Sequence, residues 1–244
     1  DFCLSRGLGD VYKRQVLHAL ADNPRVVTPG SAATPREALR LIDEQLDRWT
    51  LFCVNAPLGV PTRAEVTHET IFVGPGHRHA EHVEFLPGRL SNTPDLLRTT
   101  RTPDLVVLHT TTPRNGQVSM GIEVQIMPAA VETARAHGGT VVAVMNPRMP
   151  FVAGDGVMST DEIDYGIEID APLVTVDKAS LDDASMTIGD TIAARMGEGA
   201  TIQAGIGAIP DAVLSCLQRP QVDSHPGLLS VTTRRHLGVW TELI

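Results

Sequence analysis

The stretch from Ala200 to Leu217, ATIQAGIGAIPDAVLSCL, holds the residues whose types and spacing have the most direct chemical use. A short β-branched and apolar run, Thr201-Ile202-Gln203, leads into the turn Gly205-Ile206-Gly207, and a helix is predicted from Pro210. Proline suits the first helical position, where its missing N–H is not needed, and Asp211 suits the positive end of the helix dipole. Ile209, Ala212, Val213 and Leu217 recur at the spacing of a buried helix face. A strand, a glycine turn and a helix N-terminus together offer free backbone N–H groups to an anion or a polarised carbonyl. The same glycines also serve a plain tight connection, and the stretch by itself leaves the two readings equal. A dinucleotide site is disfavoured: the pattern is G-x-G-x-x-P, with Pro210 where the third glycine belongs and no acidic residue on a second strand at the usual distance.

Two other groups invite a chemical reading. His77-Arg78-His79-Ala80-Glu81-His82 places three histidines close together, but the spacing matches neither the i, i+4 pair of a helical zinc site nor a finger. A solvated irregular loop is expected there, with no metal. Asn146 stands at the end of an apolar run and has the donors and acceptor to hold a ligand, although an Asn-Pro step is more often a turn.

The elements that must position these residues follow from composition and pattern. The 244 residues fit one large domain or two small ones, and 42% hydrophobic content supports a real core. Net charge is −9 with no basic run longer than Arg234-Arg235, and aromatics are only 4%; nucleic acid and acidic membrane are therefore disfavoured as partners. Three cysteines, Cys3, Cys53 and Cys216, form neither a disulfide framework nor a metal-type pair, as in a cytoplasmic protein. No segment has the apolar length of a membrane span. Asp1 to Gln15, DFCLSRGLGDVYKRQ, closely resembles a translated sequencing adapter; it is expected to be a non-native leader and is set aside from fold reasoning. Residues 16–244 are read as one α/β domain whose C-terminal strand, Leu237 to Ile244, stops abruptly, as in a fragment.

Within that domain residues 16–34 read as irregular, and Pro35 opens a helix with Ala38, Leu39, Ile42, Leu46 and Trp49 on one face and Thr34 as N-cap. Leu51–Val54, Val66–Val73 and Val83–Leu86 read as strands, and Ser91 as the N-cap of a helix through Arg98. From Pro103 the alternation is regular: strand Leu105–Leu108, helix Val124–His137 ending at Gly138-Gly139, strand Thr140–Met145, and a capping box Ser159-x-x-Glu162. Strands at Asp164–Asp170 and Leu173–Val176 and a helix Ser185–Met196 complete the pattern. This predicts an open, mostly parallel sheet flanked by helices. Ligands in such sheets bind beyond the strand C-termini, so the loops Thr110–Gly116, Asn146–Pro150 and Gly205–Pro210 are expected to share one mouth.

With these residues laid out, the chain resembles the acetyl-CoA hydrolase/transferase family, the 4-hydroxybutyrate CoA-transferase-like group. LPGRLSNTP from Leu86 is similar to the family's P-x-h-L-S-x-x-P segment. DLVVLHTTTPRNGQVSMG from Asp104 is similar to its D-V-A-L-V-x-x-S-P-P-D-x-x-G-x-x-S-L-G, and NPRMPFVAG from Asn146 to its N-x-x-M-P-x-x-x-G. GATIQAGIGAIPDAV from Gly199 nearly repeats G-A-T-L-Q-x-G-I-G-A-I-P-D-A-V, and Leu237 to Glu242 resembles L-G-[IV]-H-T-E. The likeness covers about residues 26–244.

The resemblance implies a CoA-transferase-type α/β fold and a glutamate that forms a glutamyl-CoA thioester while CoA moves from a short-chain acyl-CoA, such as acetyl-CoA, to a carboxylic acid. It assigns the nucleophile to Glu242 and contact with CoA to Gly205, Ile206, Gly207, Ala208 and Ile209. It implies CoA as substrate with no permanently bound cofactor, and a homodimer. Spacing alone would leave Glu242 an ordinary surface residue. Trp240 stands where the family often has histidine, Thr110-Thr111-Thr112-Pro113 where it often has serine and prolines, and Gln218–Arg235 is longer than expected. The family's second α/β half, with a Gly-rich oxyanion loop, does not follow Glu242, so this chain by itself is expected to be inactive. Acyl-CoA hydrolysis through the same glutamate is the close alternative, and a non-catalytic ligand-binding domain the distant one. A sugar-phosphate isomerase is disfavoured because no Lys or Arg lies at the glycine turn.

Overall fold

The computed structural model describes residues 20, 22–175, 180–197, 200, 202, 204, 205 and 207–217, with the backbone alone of residues 3–6. The chain divides into two units, Asp1–Val174 and Thr175–Ile244.

The first unit is built on an open sheet. Its strands are β1 (Cys3–Arg6), β2 (Arg25–Thr28), β3 (Trp49–Cys53), β4 (Val66–Thr70), β5 (His82–Phe85), β6 (Leu105–Thr110), β8 (Thr140–Met145) and β10 (Tyr165–Glu168). They lie in the order β1-β10-β8-β6-β2-β3-β4-β5, and every pairing in this sheet is parallel. A separate antiparallel pair joins β7 (Gln117–Ser119) and β9 (Val157–Ser159). The α/β class and the parallel sheet read from the strand–helix alternation are therefore present. Cys3–Arg6, excluded from the sequence reasoning, pairs along β10 as the sheet's edge.

Strand periodicity divides the core in two. Val27, Phe52, Val106 and Leu108 face one side with Val141 and Ala143, while Val26, Leu51, Leu105 and Val107 face the other with Val142 and Val144. Helix α1 (Arg36–Asp43) covers the second face through Ala38, Leu39 and Ile42. Helices α2 (Thr93–Thr99) and α3 (Met127–His137) cover the first through Leu97, Met127, Ala130, Val131 and Ala134. All six residues of β6 are buried, as a strand covered on both faces requires. Each such apolar side chain contributes about 1.5–3 kcal/mol on removal from water. Pro128 lies in the first turn of α3, and Gly138 ends it in the left-handed conformation, with φ 76°. The Ser159–Glu162 capping box is present, on a single 3-10 turn Thr160–Glu162.

Several local expectations change. Helix α1 stops at Asp43, and Trp49 begins β3 instead of continuing the helix face; it is fully buried, its indole N–H bonded to Asp43 Oδ1 at 3.0 Å. Thr34 does not cap α1: its hydroxyl donates to Pro29 O. Ser91 lies in a 3-10 turn, Leu90–Asn92, and Asn92 takes the cap position of α2. Arg25–Thr28, read as irregular, is the central strand β2. His77 is buried rather than solvated. Leu173–Thr175 forms no strand, and Val176 is outside the described residues.

The second unit contains α4 (Asp183–Ala193) and α5 (Ala208–Leu217). Asp182 caps α4 by accepting from Ser185 N at 2.7 Å. The two helices pack backbone to backbone: a Cβ on Gly189 would lie 2.8 Å from the Ala212 carbonyl carbon. Helix α5 begins at Ala208, so Pro210 falls two residues inside it, still within the first turn where its N–H has no helical partner. Asp211 occupies that turn as expected. Ala212, Val213, Leu214 and Cys216 are buried, whereas Ile209 is 44% exposed.

Candidate active site

The strand order reverses at one place. The chain runs outward from β2 through β3 and β4 to β5, then returns to lay β6 on the other side of β2 and continues outward to β8 and β10. In an open α/β sheet such a reversal leaves a crevice beyond the strand C-termini, and ligands bind there. The crevice lies between the loop after β2, from Pro29 to Pro35, and the loop after β6, from Thr111 to Gly116. Two of the three expected mouth loops therefore meet in this unit: Asn146 N donates to Thr110 O at 2.8 Å. The loop after β2 was missed by sequence reasoning, because four residues between prolines show too little periodicity to read as a strand.

A layer of buried polar groups closes the sheet at this end. His109 Nδ1 lies 3.1 Å from Ala33 O in the loop after β2, and Asn146 Nδ2 lies 3.3 Å from His109 Nε2. Asn146 Nδ2 also donates to Ala171 O at 2.9 Å, and its Oδ1 accepts from Arg148 N at 3.1 Å. The network requires the His109 tautomer with the proton on Nδ1. Burial pushes the His109 pKa down, opposed by the Ala33 carbonyl. With both ring nitrogens engaged, His109 ties the loop after β2 to Asn146. Thr28 Oγ1 donates to Val107 O across the junction at 3.0 Å.

The backbone around the crevice is tightly fitted. Ser31 and Asn55 both adopt positive φ, 49° and 58°, and are tied by Ser31 N to Asn55 O at 3.0 Å and Asn55 Nδ2 to Ser31 Oγ at 2.9 Å. A Cβ on Gly30 would lie 1.7 Å from Val54 O, so the two loops touch through bare backbone. Cys53, buried at the end of β3, has its thiol pushed up to about 12 by burial. It is a packing residue, inert as a nucleophile. Glu123, between β7 and α3, is buried, and burial raises its carboxyl to about 8 against a hydrogen bond from Gln125.

The histidine cluster is split by the fold. His77 is enclosed and accepts from Gly74 N through Nδ1 at 2.8 Å, while His82 lies on exposed β5. The ring partner of His77 is His68, edge to face with centroids 5.5 Å apart. Among the described residues no three His, Cys, Asp or Glu side chains are placed to hold a metal ion.

Of the residues assigned to CoA, Gly205 is exposed, Gly207 has φ 133°, and Ala208 and Ile209 open α5. Asp211 N donates to Gly207 O at 3.1 Å, closing the first turn. Ile206 and the proposed nucleophile Glu242 lie outside the described residues, as do Thr201, Gln203 and the strand expected at Leu237–Ile244.

A doubly wound parallel sheet with buried polar groups at its strand reversal defines an open-sheet α/β protein whose ligand end lies beyond the strand C-termini. Residues 62–176 match the acetyl-CoA hydrolase/transferase N-terminal domain, and the chain belongs to that family. It is 31% identical over 182 residues to the 4-hydroxybutyrate coenzyme A transferase of Clostridium kluyveri, covering 72% of this chain and 38% of that protein. It is 29% identical over 238 residues to the succinyl-CoA:acetate/propanoyl-CoA:succinate CoA transferase of Fasciola hepatica, covering 92% of this chain and 46% of that one. The chain thus spans less than half the length of these curated relatives. The crystal structure of 4-hydroxybutyrate CoA-transferase from Porphyromonas gingivalis superposes with a TM-score of 0.67 at 27% identity, over 88% of this chain and 51% of that one. RipA from Yersinia pestis, at 18% identity, shares the fold with a TM-score of 0.77, over 88% of this chain and 53% of that one.

Proposed function

We propose that the whole protein moves CoA between a short-chain acyl-CoA, with acetyl-CoA as a donor, and a carboxylic acid. The observation that carries this reading is the 31% identity to a 4-hydroxybutyrate CoA transferase together with the family match over residues 62–176. Glu242 is the nucleophile. Its carboxylate attacks the thioester carbonyl, giving a glutamyl–acyl anhydride and CoA thiolate. The thiolate attacks the glutamyl carbonyl, forming a glutamyl-CoA thioester and releasing the first acid. A second carboxylate then attacks that thioester, and CoA thiolate returns to the new acyl carbonyl and frees Glu242. The exchange is covalent catalysis with a nucleophile already ionised at neutral pH. Gly205 to Ile209 contact CoA; Ala208 and Ile209 open α5, and a helix N-terminus suits an anion or a polarised carbonyl. The protein acts as a cytoplasmic homodimer.

The experiment is to incubate the complete protein with acetyl-CoA and map the modified peptide by mass. CoA on Glu242, absent in Glu242→Gln, is the expected result; a modification elsewhere, or turnover surviving in Glu242→Gln, would overturn the assignment and favour a non-catalytic domain or another nucleophile. The family's joint hydrolase/transferase description favours one second reading, in which water resolves the same intermediate. Adding a second carboxylate separates the two, since transfer loads that acid with CoA whereas hydrolysis accumulates free thiol.

A further inference from the structure

Two acids are buried among the described residues, and they are held in opposite ways. Glu69 lies between two guanidiniums, Arg25 Nε at 2.8 Å and Arg101 Nε at 2.9 Å. Glu123 is 3% exposed and has no ion pair among the described residues. Its Oε1 has no hydrogen-bond partner among the described residues, and a hydrogen bond from Gln125 engages the carboxyl. A buried polar atom left in this state costs roughly 1–3 kcal/mol, so its presence calls for a physical reason.

The position supplies one. Residues 120–126 join β7 to α3 and are pinned to the carboxyl end of the sheet: Met120 N donates to Gly156 O at 2.8 Å, and Gly121 lies flush on Met149 in the loop after β8. Glu123 stands close enough to Cys53, at the end of β3, for its charge to disfavour the thiolate. Cys53 Sγ in turn lies 3.8 Å from Pro29 O in the loop after β2. Gln125 beside it is held at φ 32°, a conformation costly for a side-chain-bearing residue. Glu123 is therefore an enclosed carboxyl with one oxygen unpartnered among the described residues, on a segment packed against loops at the carboxyl end of the sheet.

The geometry points to Glu123 as a side chain that hydrogen-bonds, through Oε1, an oxygen of the bound acyl or acid substrate. This rests on the CoA-transfer reading. Held at about 8 by burial, the carboxyl keeps its proton at neutral pH and acts as a donor. A carboxylic acid kept neutral in an apolar setting can serve an oxygen in this way. The accepting oxygen belongs either to the thioester carbonyl or to a second oxygen function elsewhere on the acid. The titratable group facing Glu123 from β3 is the Cys53 thiol, at about 12, which does not ionise in the same range.

The test compares the wild type with Glu123→Gln, which keeps a donor, and Glu123→Leu, which keeps only bulk, in the complete protein. Acetyl-CoA is the CoA donor, and propionate and 3-hydroxypropionate are the acceptors. Glu123→Leu is expected to lose about 10- to 100-fold in kcat/KM and Glu123→Gln much less. The wild-type profile should fall as pH rises through about 8, and Glu123→Gln should lack that limb. A loss in kcat common to both acids identifies the thioester carbonyl; a KM effect confined to 3-hydroxypropionate identifies the second oxygen. Glu123→Leu within twofold of the wild type, or an alkaline limb that persists in Glu123→Gln, overturns the proposal. Should the wild type load neither acid and instead accumulate free thiol, the transfer reading gives way to hydrolysis, and the carboxylic-acid infrared band of Glu123 decides its own role. A band that shifts on adding acetyl-CoA and is absent in Glu123→Gln supports the contact; an unmoved band removes it.

Discussion

Asn146 presents its side-chain Nδ2 to Nε2 of His109 at 3.3 Å, and so makes the imidazole an acceptor on one side and a donor on the other. The donor side holds Ala33 O, so one side-chain pair ties the loop after β2 to strand β6 and to the loop after β8 across the strand reversal. Asn146→Asp replaces the donor by an acceptor facing both His109 Nε2 and Ala171 O. It should destabilise the first unit by about 1–3 kcal/mol at neutral pH and raise the His109 pKa, which burial holds down in the wild type. Urea midpoints and imidazole NMR titration report the two effects, and an unchanged His109 titration would contradict the network.

Glu123 predicts a loss of stability in alkali. Its folded pKa, about 8, lies above the ordinary value of 4.5, so the native state binds more protons across that interval and stability falls as pH rises through it. The contribution is complete below 4.5 and gone above about 8. Glu123→Gln should flatten this slope and be the more stable protein at pH 9, measured by urea unfolding across the range.

His77 predicts the opposite limb. Burial first, and the neighbouring His68 second, hold it down to about 4, against the ordinary 6.5. The unfolded chain therefore takes up the proton first, and stability present above 6.5 is lost as pH falls toward 4. Protonation also removes the acceptor that Gly74 N uses. His77→Gln should show a shallower acid slope between those values, and hydrogen exchange at Gly74 should accelerate in the wild type as the pH drops.

Much of the sheet was legible because its strands are long and apolar. Leu105–Leu108 and Thr140–Met145 carry runs that only a doubly covered strand explains, and Gly138 and Ser159 mark ends by their own chemistry. Arg25–Thr28 was not legible: its neighbours Leu105 and Thr50 are distant in sequence, and pairing with them, not periodicity, makes it a strand. Trp49 fell on the helical period by coincidence, and the tertiary core claimed it for β3. Burial of His77 and Glu123 has no sequence signature, since both depend on which loops close over them. The motifs pointed to the glycine turn and to Glu242; the crevice at β2 and β6 needed the strand order.

Gly30 offers a steric test of that crevice. A methyl group there would meet Val54 O at 1.7 Å and its carbon at 2.9 Å, both backbone atoms that cannot swing aside. Gly30→Ala should cost about 1–3 kcal/mol or more, whereas Gly88→Ala, with open space around it, should stay within about 0.5 kcal/mol. Comparable thermal midpoints for the two variants would refute the close approach of these loops.

The return of the chain to lay β6 beside β2 also sets a clock during synthesis. Strands β2 to β5 leave the ribosome with one flank of β2 open, and its partner follows roughly 80 residues later, about 4–15 s at ordinary elongation rates. For that interval the backbone of Val26 and Val27, later central, is a bare edge able to pair with another nascent chain. Codon choice and chaperone access between Leu86 and Asp104 would then govern yield without altering a single contact of the finished protein.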